Sequence, residues 1–220
     1  MTSLVSRTPA MQVLLVHGMG RSPLSMASLA LGLRADGMRP RFFGYLAAVE
    51  SVDRMVGRLV QRLLAISGEP YLVVGHSLGG VLLRLAIDRL PTGTRLPERL
   101  ILVGSPRGAV RLAQQFASWV PYRLLYGDAG QLLADPARMA AIGAPRVPCT
   151  VVVGTRGFPA GASLFGPEPN DGIVAVAEVV SSGESETVQL ERGHTFLMNA
   201  REVRDVIRKH VALTASAPAG

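Results

Sequence analysis

A short apolar segment that runs directly into a glycine-rich turn constrains this chain more than any other feature. Tyr71-Leu72-Val73-Val74 is typical of a buried strand, and Gly75-His76-Ser77-Leu78-Gly79-Gly80 follows it at once. Helical periodicity then continues to about Leu90. A strand-to-helix turn this sharp strains the backbone of Ser77 and lifts its hydroxyl above the sheet, and a side chain at Gly75 or Gly79 would collide with a neighbouring element. The pattern predicts Ser77 as a nucleophile.

Further apolar segments alternate with helical patterns along the chain. Helices are predicted at about 22–34 and 51–63, and a last one from Asn199 to about Leu213, where Glu202 completes a capping box. This alternation predicts an α/β fold with a mostly parallel central sheet, and the length of 220 residues favours a single domain, 1–220. The other strands are expected at Gln12–Val16, Arg41–Tyr45, Leu100–Val103, Thr150–Val153 and Thr187–Leu190.

The segment from Arg107 to Pro148 interrupts the alternation of strands and helices. It is too long for an ordinary connection and contains Phe116, Trp119 and several further aromatic and leucine residues. Two interpretations stay open at this stage. The insert is either a pair of helices packed on the core, or a cap whose apolar side chains line an acyl pocket or contact a membrane.

Composition excludes several classes of protein. The net charge of +7 comes almost wholly from arginine, since Lys209 is the only lysine, but the arginines are scattered and no nucleic-acid-binding motif accompanies them. Cys149 is the only cysteine, so no internal disulfide can form, and its apolar surroundings predict a buried core residue. No apolar segment reaches the ~20 residues of a membrane span, and residues 1–7 do not resemble a signal peptide. A cytoplasmic location is therefore expected.

A serine hydroxyl needs a neighbouring base to act as a nucleophile, and the chain has only four histidines. His76 adjoins Ser77, but its side chain should point the other way along the turn. His17 ends the first strand and is expected to shape the oxyanion region, whereas His210 lies deep in the last helix. His194 is the expected base, because it lies in the loop between the last strand and the last helix, late in the chain order.

The acid that orients such a base is expected in the loop between the Thr150–Val153 strand and the last strand. Asp171, within Pro169-Asn170-Asp171-Gly172-Ile173-Val174, is the only aspartate there, although Asn-Asp-Gly is also a common turn sequence. The alternatives are Asp128 and Asp135 in the insert, together with Glu168 and Glu178, which flank the candidate.

Two backbone N–H groups are candidates to stabilise an oxyanion. The N–H of Leu78 lies at the start of the helix that follows Ser77, where the helix dipole favours negative charge. The second donor is expected from the loop after the first strand, and His17-Gly18-Met19-Gly20 fits, with the Met19 N–H as donor.

Taken together, these motifs resemble the lipase and esterase branch of the α/β-hydrolase superfamily in bacteria. The matching segments are Val-His-Gly-Met-Gly at 16–20, Gly-His-Ser-Leu-Gly-Gly at 75–80, Gly-Ser-Pro at 104–106, Asn-Asp-Gly-Ile-Val at 170–174 and Gly-His at 193–194. The fourth of these is similar to the acid motif of triacylglycerol lipases and of the PGAP1-like lipase group. The resemblance implies an α/β-hydrolase fold with reduced N-terminal strands, a central sheet flanked by helices, and a short helical cap or lid at about 107–148.

The resemblance also implies ester hydrolysis through an acyl-enzyme, with Ser77, His194 and Asp171 as a triad and a small-molecule acyl ester or lipid as substrate. Phe116, Trp119 and Phe196 would line the acyl site, and peripheral contact with membrane lipid is part of the same expectation. Phe196 stands where related lipases place a calcium-binding aspartate, so neither a metal nor a cofactor is expected. A thioesterase or acyltransferase with the same triad is the alternative enzyme, and a non-catalytic interaction protein is the alternative of another class.

Overall fold

The computed structural model describes residues 10–157, 162–180 and 186–216, and residues 1–7 lie outside them. Six strands form one sheet in the order β2-β1-β3-β4-β5-β6, and every neighbouring pair is parallel. The predicted α/β architecture with a mostly parallel sheet is confirmed. The strands are β1 Gln12–Val16, β2 Arg39–Phe43, β3 Tyr71–His76, β4 Arg99–Val103, β5 Cys149–Gly154 and β6 Glu186–Leu190.

Helices cover both faces of this sheet. The elements outside the β4–β5 connection are α1 Ala27–Ala35, preceded by a 3-10 turn Pro23–Met26, α2 Val52–Leu64, α3 Leu78–Asp88, α7 Ala162–Phe165, α8 Val176–Val179, α9 His194–Leu197 and α10 Arg201–Ser216. Alternate residues of a strand face opposite sides, so Leu14 and Val16 pack with α2 and α3 in one core, and Val13 and Leu15 with α1 and α10 in the other. The inner strands are consequently apolar throughout.

Several predicted boundaries are wrong, among them the start of the first helix, since α1 begins at Ala27 after the 3-10 turn. Contacts between distant segments explain two others. The strand β2 lies two residues earlier than expected, because its register pairs Gln12 with Arg39, and Tyr45 lies beyond its end with its ring stacked on His17. The last helix begins at Arg201 rather than after a cap at Asn199. The Asn199 amide is used elsewhere, since it accepts from the backbone N–H of Leu29 at 3.3 Å and donates to the Ser25 carbonyl at 2.8 Å.

The insert between β4 and β5 contains three helices, where two were considered: α4 Arg111–Phe116, α5 Val120–Ala134 and α6 Pro136–Ala140. Within α5 the helix breaks at Gly127, whose φ of 48° and ψ of −138° are far from helical values. A Cβ atom there would lie 2.9 Å from the carbonyl oxygen of Ala47, so the break lets the helix approach the loop after β2.

Two smaller expectations also meet the structure. Cys149 is buried in β5, as its sequence context predicted. Among the helices within the described residues, none combines the length and the apolar character that a membrane crossing requires.

Candidate active site

The turn between β3 and α3 holds Ser77 in a strained conformation. Its φ of 51° makes it the only non-glycine residue with a positive φ in the described part of the chain. Such a conformation is costly for an L-residue with a side chain and persists only where the surroundings enforce it. Here they do: a Cβ atom at Gly75 would lie 2.4 Å from the Cα of Gly80, and one at Gly79 would lie 2.3 Å from the carbonyl oxygen of Val16. Both glycines are therefore required by the close approach of other backbone.

The start of α3 leaves a backbone donor beside this serine. Leu78 is the first residue of the helix, so its N–H has no acceptor within the helix. On the other side of Ser77 lies the loop after β1, where a Cβ atom at Gly18 would lie 3.1 Å from the Cβ of Ser77. Met19 is the next residue of that loop and lines a cavity together with Ser77, whereas Leu78 directly follows the serine in the chain.

His194 and Asp171 form a buried pair through their side chains. The His194 Nδ1 atom lies 2.6 Å from Oδ2 of Asp171, and the aspartate is wholly buried. The other carboxylate oxygen, Oδ1, accepts hydrogen bonds from the backbone N–H groups of Ile173 at 3.0 Å and Val174 at 2.9 Å. The Asn-Asp-Gly turn thus does more than reverse the chain, because it fixes the carboxylate that faces the imidazole. With Nδ1 donating to this carboxylate, Nε2 is the ring nitrogen that remains to accept a proton.

The four alternative carboxylates are each engaged elsewhere. Asp128 accepts a hydrogen bond of 2.8 Å from the backbone N–H at the start of α2. Asp135 caps α6 by accepting from two backbone N–H groups at 2.9 and 3.0 Å. Glu168 and Glu178 both pair with Arg111. The structure therefore brings only Asp171, of the five carboxylates considered, into contact with His194.

None of the remaining three histidines pairs with Asp171 within the described residues, although His76 lines the same cavity as Ser77 and His194. The His76 ring packs against that of His194, with centroids 4.8 Å apart, and its Nε2 lies 3.1 Å from the His194 carbonyl oxygen. Burial, followed by the electrostatic influence of His194, holds the pKa of His76 well below its usual value. His17 stacks on Tyr45, whose hydroxyl donates to the His17 carbonyl at 2.8 Å, so this pair supports the loop that carries Met19. His210 contacts Glu186 at 3.0 Å, far along the chain from the turn.

Ser77 and His194 open into one cavity of about 480 Å³. The loop after β1 and the insert helices form most of its wall, and the insert side is largely apolar. Two predicted substrate-binding residues, Phe116 and Trp119, line this cavity. Phe196 does not: its side chain is 70% exposed, and the residue is not part of the cavity wall. The apolar lining comprises Met19, Val110, Leu112, Ala113, Phe116, Trp119, Tyr122, Leu125, Tyr126, Leu133, Ile173 and Val174.

The geometry of α9 accounts for the position of Phe196 outside the cavity wall. His194 and Phe196 are two residues apart in a helix, where such a spacing turns side chains away from each other. The sequence placed Phe196 near the base without revealing that a helical turn begins at His194.

Two polar residues of the cavity wall were not anticipated from the sequence. Arg21 and Thr195 both line the cavity, and the Arg21 guanidinium donates to the Thr195 hydroxyl through Nη2 at 2.9 Å. The only signal in the sequence is adjacency, since Arg21 follows the Gly18–Gly20 loop and Thr195 follows His194. In the described residues, no group of three or more His, Cys, Asp or Glu side chains is arranged to hold a metal ion.

The parallel six-strand sheet with helices on both faces is the α/β-hydrolase fold, and solved structures match it over nearly the whole chain. The metagenomic carboxyl esterase MGS0156 matches with a TM-score of 0.71 and 15% identity, over 94% of this chain and 75% of its own. The ydeN gene product from B. subtilis gives 0.65 and 15%, over 92% and 100%. A thioesterase domain from the curacin biosynthetic pathway gives 0.58 and 16%, over 91% and 92%.

These likenesses concern the fold, because the identities are low. A scan against protein-family models found no match, and neither did a search of curated proteins. The resemblance to the PGAP1-like lipase group accordingly stays a prediction.

Proposed function

We propose that this protein is a serine hydrolase that cleaves carboxylic esters through an acyl-enzyme. One observation carries the proposal: the strained Ser77 and the buried His194–Asp171 pair open into the same largely apolar cavity. A nucleophile, a base and an orienting acid are the groups that acyl transfer requires, and each of them comes from a separate segment of the chain.

In the proposed reaction Ser77 Oγ attacks the ester carbonyl carbon while His194 Nε2 takes the hydroxyl proton. The C=O π electrons move to the carbonyl oxygen, and the N–H groups of Met19 and Leu78 bind the resulting oxyanion. Collapse of this intermediate breaks the bond to the alcohol, which leaves with the proton from His194. Water then attacks the acyl-serine with the same base, giving the carboxylic acid and free Ser77. Asp171 keeps the imidazole in the required tautomer and stabilises its protonated form.

Medium- or long-chain acyl groups are the proposed substrates. The cavity volume of about 480 Å³ and the aromatic and aliphatic side chains of the insert favour an acyl chain over a polar acid. In this proposal residues 107–148 act as the cap of a single domain that spans residues 1–220, with Phe116 and Trp119 in contact with the chain.

Peripheral contact with lipid is a further part of this proposal. The first half of α5 and the residue before it expose four large apolar side chains, among them Leu124 at 71%. Such a surface next to the mouth of an apolar cavity suits contact with a lipid layer that supplies substrate. The four side chains are Trp119, Val120, Leu124 and Leu125.

Tryptophan fluorescence tests the lipid contact directly, because Trp119 is the only tryptophan of the chain. Addition of phosphatidylcholine vesicles should shift its emission to shorter wavelength, and Leu124→Glu should weaken the shift. Leu31→Glu, which alters a 65% exposed leucine of α1 on the opposite side of the sheet, is the matched control. An emission spectrum unchanged by vesicles contradicts the lipid contact and leaves ester hydrolysis untouched.

A thioesterase or acyltransferase is the second candidate, and the structural likeness to the curacin thioesterase domain favours it. The same triad serves both reactions, and the difference lies in the leaving group or in the acceptor of the acyl group. A non-catalytic protein is disfavoured, since it would have no use for a strained serine beside a buried His–Asp pair.

The decisive experiment combines active-site labelling with a chain-length series. The wild-type protein should react with a fluorophosphonate probe and hydrolyse p-nitrophenyl esters from acetyl to dodecanoyl, with a maximum above butanoyl. Ser77→Ala should abolish both, whereas Ser22→Ala, an exposed serine without a side-chain capping bond, should change neither. Absence of labelling in the wild type, or full labelling of Ser77→Ala, refutes the proposal. Faster turnover of octanoyl thioesters than of the matched oxygen esters would favour the thioesterase.

A further inference from the structure

The mouth of the cavity carries one positive charge, on Arg21. This residue is exposed and follows the Gly18–Gly20 loop, and its guanidinium donates to the Thr195 hydroxyl at 2.9 Å. Because Thr195 is the residue after His194, the hydrogen bond holds a cation close to the proposed base. The contact links the loop after β1 to the short helix α9, and the two residues are 174 positions apart in the chain.

No carboxylate neutralises this charge within the described residues. Arg21 forms none of the ion pairs found there, and the cavity wall contains no aspartate, glutamate or lysine. Its hydrogen-bond partner is a neutral hydroxyl. The guanidinium has five N–H donors, and the bond to Thr195 uses one of them, so several remain to bind a ligand.

A guanidinium with free N–H donors at the cavity suits an anionic group of a ligand. Carboxylate and phosphate oxygens accept charge-assisted hydrogen bonds from guanidinium, and these are stronger than bonds between neutral groups.

The direction of the leaving group decides where such an anion belongs on the substrate. His194 returns its proton to the leaving atom, so the leaving group must lie on the side of His194, where Thr195 and Arg21 are. The apolar insert residues of the cavity wall, such as Phe116 and Trp119, are then left for the acyl chain.

We infer that Arg21 is a specificity-determining residue that selects acyl esters whose leaving group carries an anion, either a carboxylate or a phosphate. The inference rests on the proposed ester hydrolysis and adds the chemistry of the leaving group to it. Guanidinium binds both kinds of anion with paired N–H donors, and Thr195 holds it in position for that contact. Arg21 exchanges no proton in the reaction.

Two matched substrate pairs test the inference. The first is 4-nitro-3-octanoyloxybenzoate against the corresponding benzamide, and the second is 1-octanoylglycerol 3-phosphate against 1-octanoylglycerol. The wild type should prefer the anionic member of at least one pair, and that pair identifies the anion. Arg21→Gln should lower kcat/KM for that anionic substrate about tenfold, as expected for loss of hydrogen bonds to a charged group, and leave the neutral partner within about twofold. Arg21→Lys should keep part of the preference.

A matched control is Arg123→Gln, since Arg123 is an exposed arginine of α5 outside the cavity wall. This substitution should leave the ratio of kcat/KM for the anionic substrate to that for the neutral substrate unchanged in both pairs. Equal losses on the anionic and neutral substrates in Arg21→Gln, or unchanged ratios in both pairs, would overturn the inference. Fluorophosphonate labelling separates this failure from failure of the proposed function: labelling and neutral-ester turnover by wild type keep the hydrolase proposal even where the ratios do not move.

Discussion

Two hydrogen bonds join His194 to Asp171, one through the side chains and one through the backbone. The Nδ1 atom of the histidine lies 2.6 Å from Oδ2 of the aspartate, and the histidine N–H donates to the aspartate carbonyl oxygen at 2.9 Å. The backbone bond fixes the distance between the two segments, so the side-chain contact costs little further conformational entropy. The backbone bond holds the two segments together even without the carboxylate. Activity should therefore depend on the negative charge of Asp171 rather than on a structural role of its side chain.

Replacing Asp171 by Asn tests that dependence. The amide keeps the shape of the side chain but can donate to Nδ1, which favours the wrong tautomer of His194, so kcat should fall by roughly a thousand- to ten-thousand-fold. Initial-rate kinetics with p-nitrophenyl octanoate measure the change in kcat. Asp128→Asn is the matched control and should keep nearly full activity, because Asp128 bonds to the start of α2. A large loss in Asp128→Asn with little change in Asp171→Asn would reassign the acid.

The buried histidines should make the fold sensitive to mild acid. Burial lowers the pKa of His17, His76 and His210 below the usual histidine value of about 6.5, so each binds its proton more weakly in the folded than in the unfolded chain. Below the unfolded pKa the unfolded state binds more protons, and stability is lost as the pH falls from about 6.5 toward the folded values.

The measurement is urea unfolding at about pH 7.5 and about pH 5.2, a window above the titration of most carboxyls. We expect a lower free energy of unfolding at the acid value. His76→Gln removes the titrating group and should flatten the dependence, although it weakens the fold at both pH values. If the free energy of unfolding falls equally between the two pH values in His76→Gln and wild type, His76 does not contribute to the acid sensitivity.

The Ser77 turn could be predicted from the sequence, whereas the start of β2 could not. The Ser77 turn was predictable because strand, glycines and helix are adjacent in the chain, and their steric demands are local. The start of β2 at Arg39, by contrast, depends on its register with β1. The Asn199 side chain does not cap the last helix, because it forms hydrogen bonds with the backbone of Ser25 and Leu29. Such contacts join distant segments, and no local pattern encodes them.

The candidate site divides in the same way. Asp171 and His194 could be selected by chain order, and the structure brings them together. Phe196 was placed in the acyl site although it is 70% exposed, because the turn of α9 was not apparent. No sequence pattern indicates Arg21, since its hydrogen bond to Thr195 forms only when the loop after β1 and the distant helix α9 meet at the cavity.

Gly104 should matter to catalysis through its contact with the His–Asp pair. It has a φ of 55°, and a Cβ atom there would lie 3.1 Å from Nδ1 of His194 and 3.3 Å from Oδ2 of Asp171. Gly104→Ala should therefore displace the pair and lower kcat, in addition to the backbone strain of about 1–2 kcal/mol that a positive φ costs.

Gly143→Ala separates these two effects. Its φ of 49° gives similar strain, but nothing lies within 4 Å of the added methyl group. Gly143→Ala should lose thermal stability through backbone strain alone, and Gly104→Ala should lose at least as much. Only Gly104→Ala should lose activity at a temperature where both remain folded. Equal specific activities of the two variants would contradict the proposed contact.

Phe116 and Phe196 offer a matched pair for the acyl site, because the same substitution is made inside and outside the cavity. Phe116 lines the cavity, and its ring lies 5.8 Å from that of Trp119, between centroids. Phe116→Ala enlarges the apolar space, so the ratio of kcat/KM for dodecanoyl to that for octanoyl esters should rise. Each further methylene that becomes buried contributes about 0.8 kcal/mol, or about fourfold. Phe196→Ala should leave the ratio unchanged, since its ring lies outside the cavity. If Phe196→Ala shifts the chain-length profile and Phe116→Ala does not, the acyl chain must follow a different path, over α9 rather than under the insert.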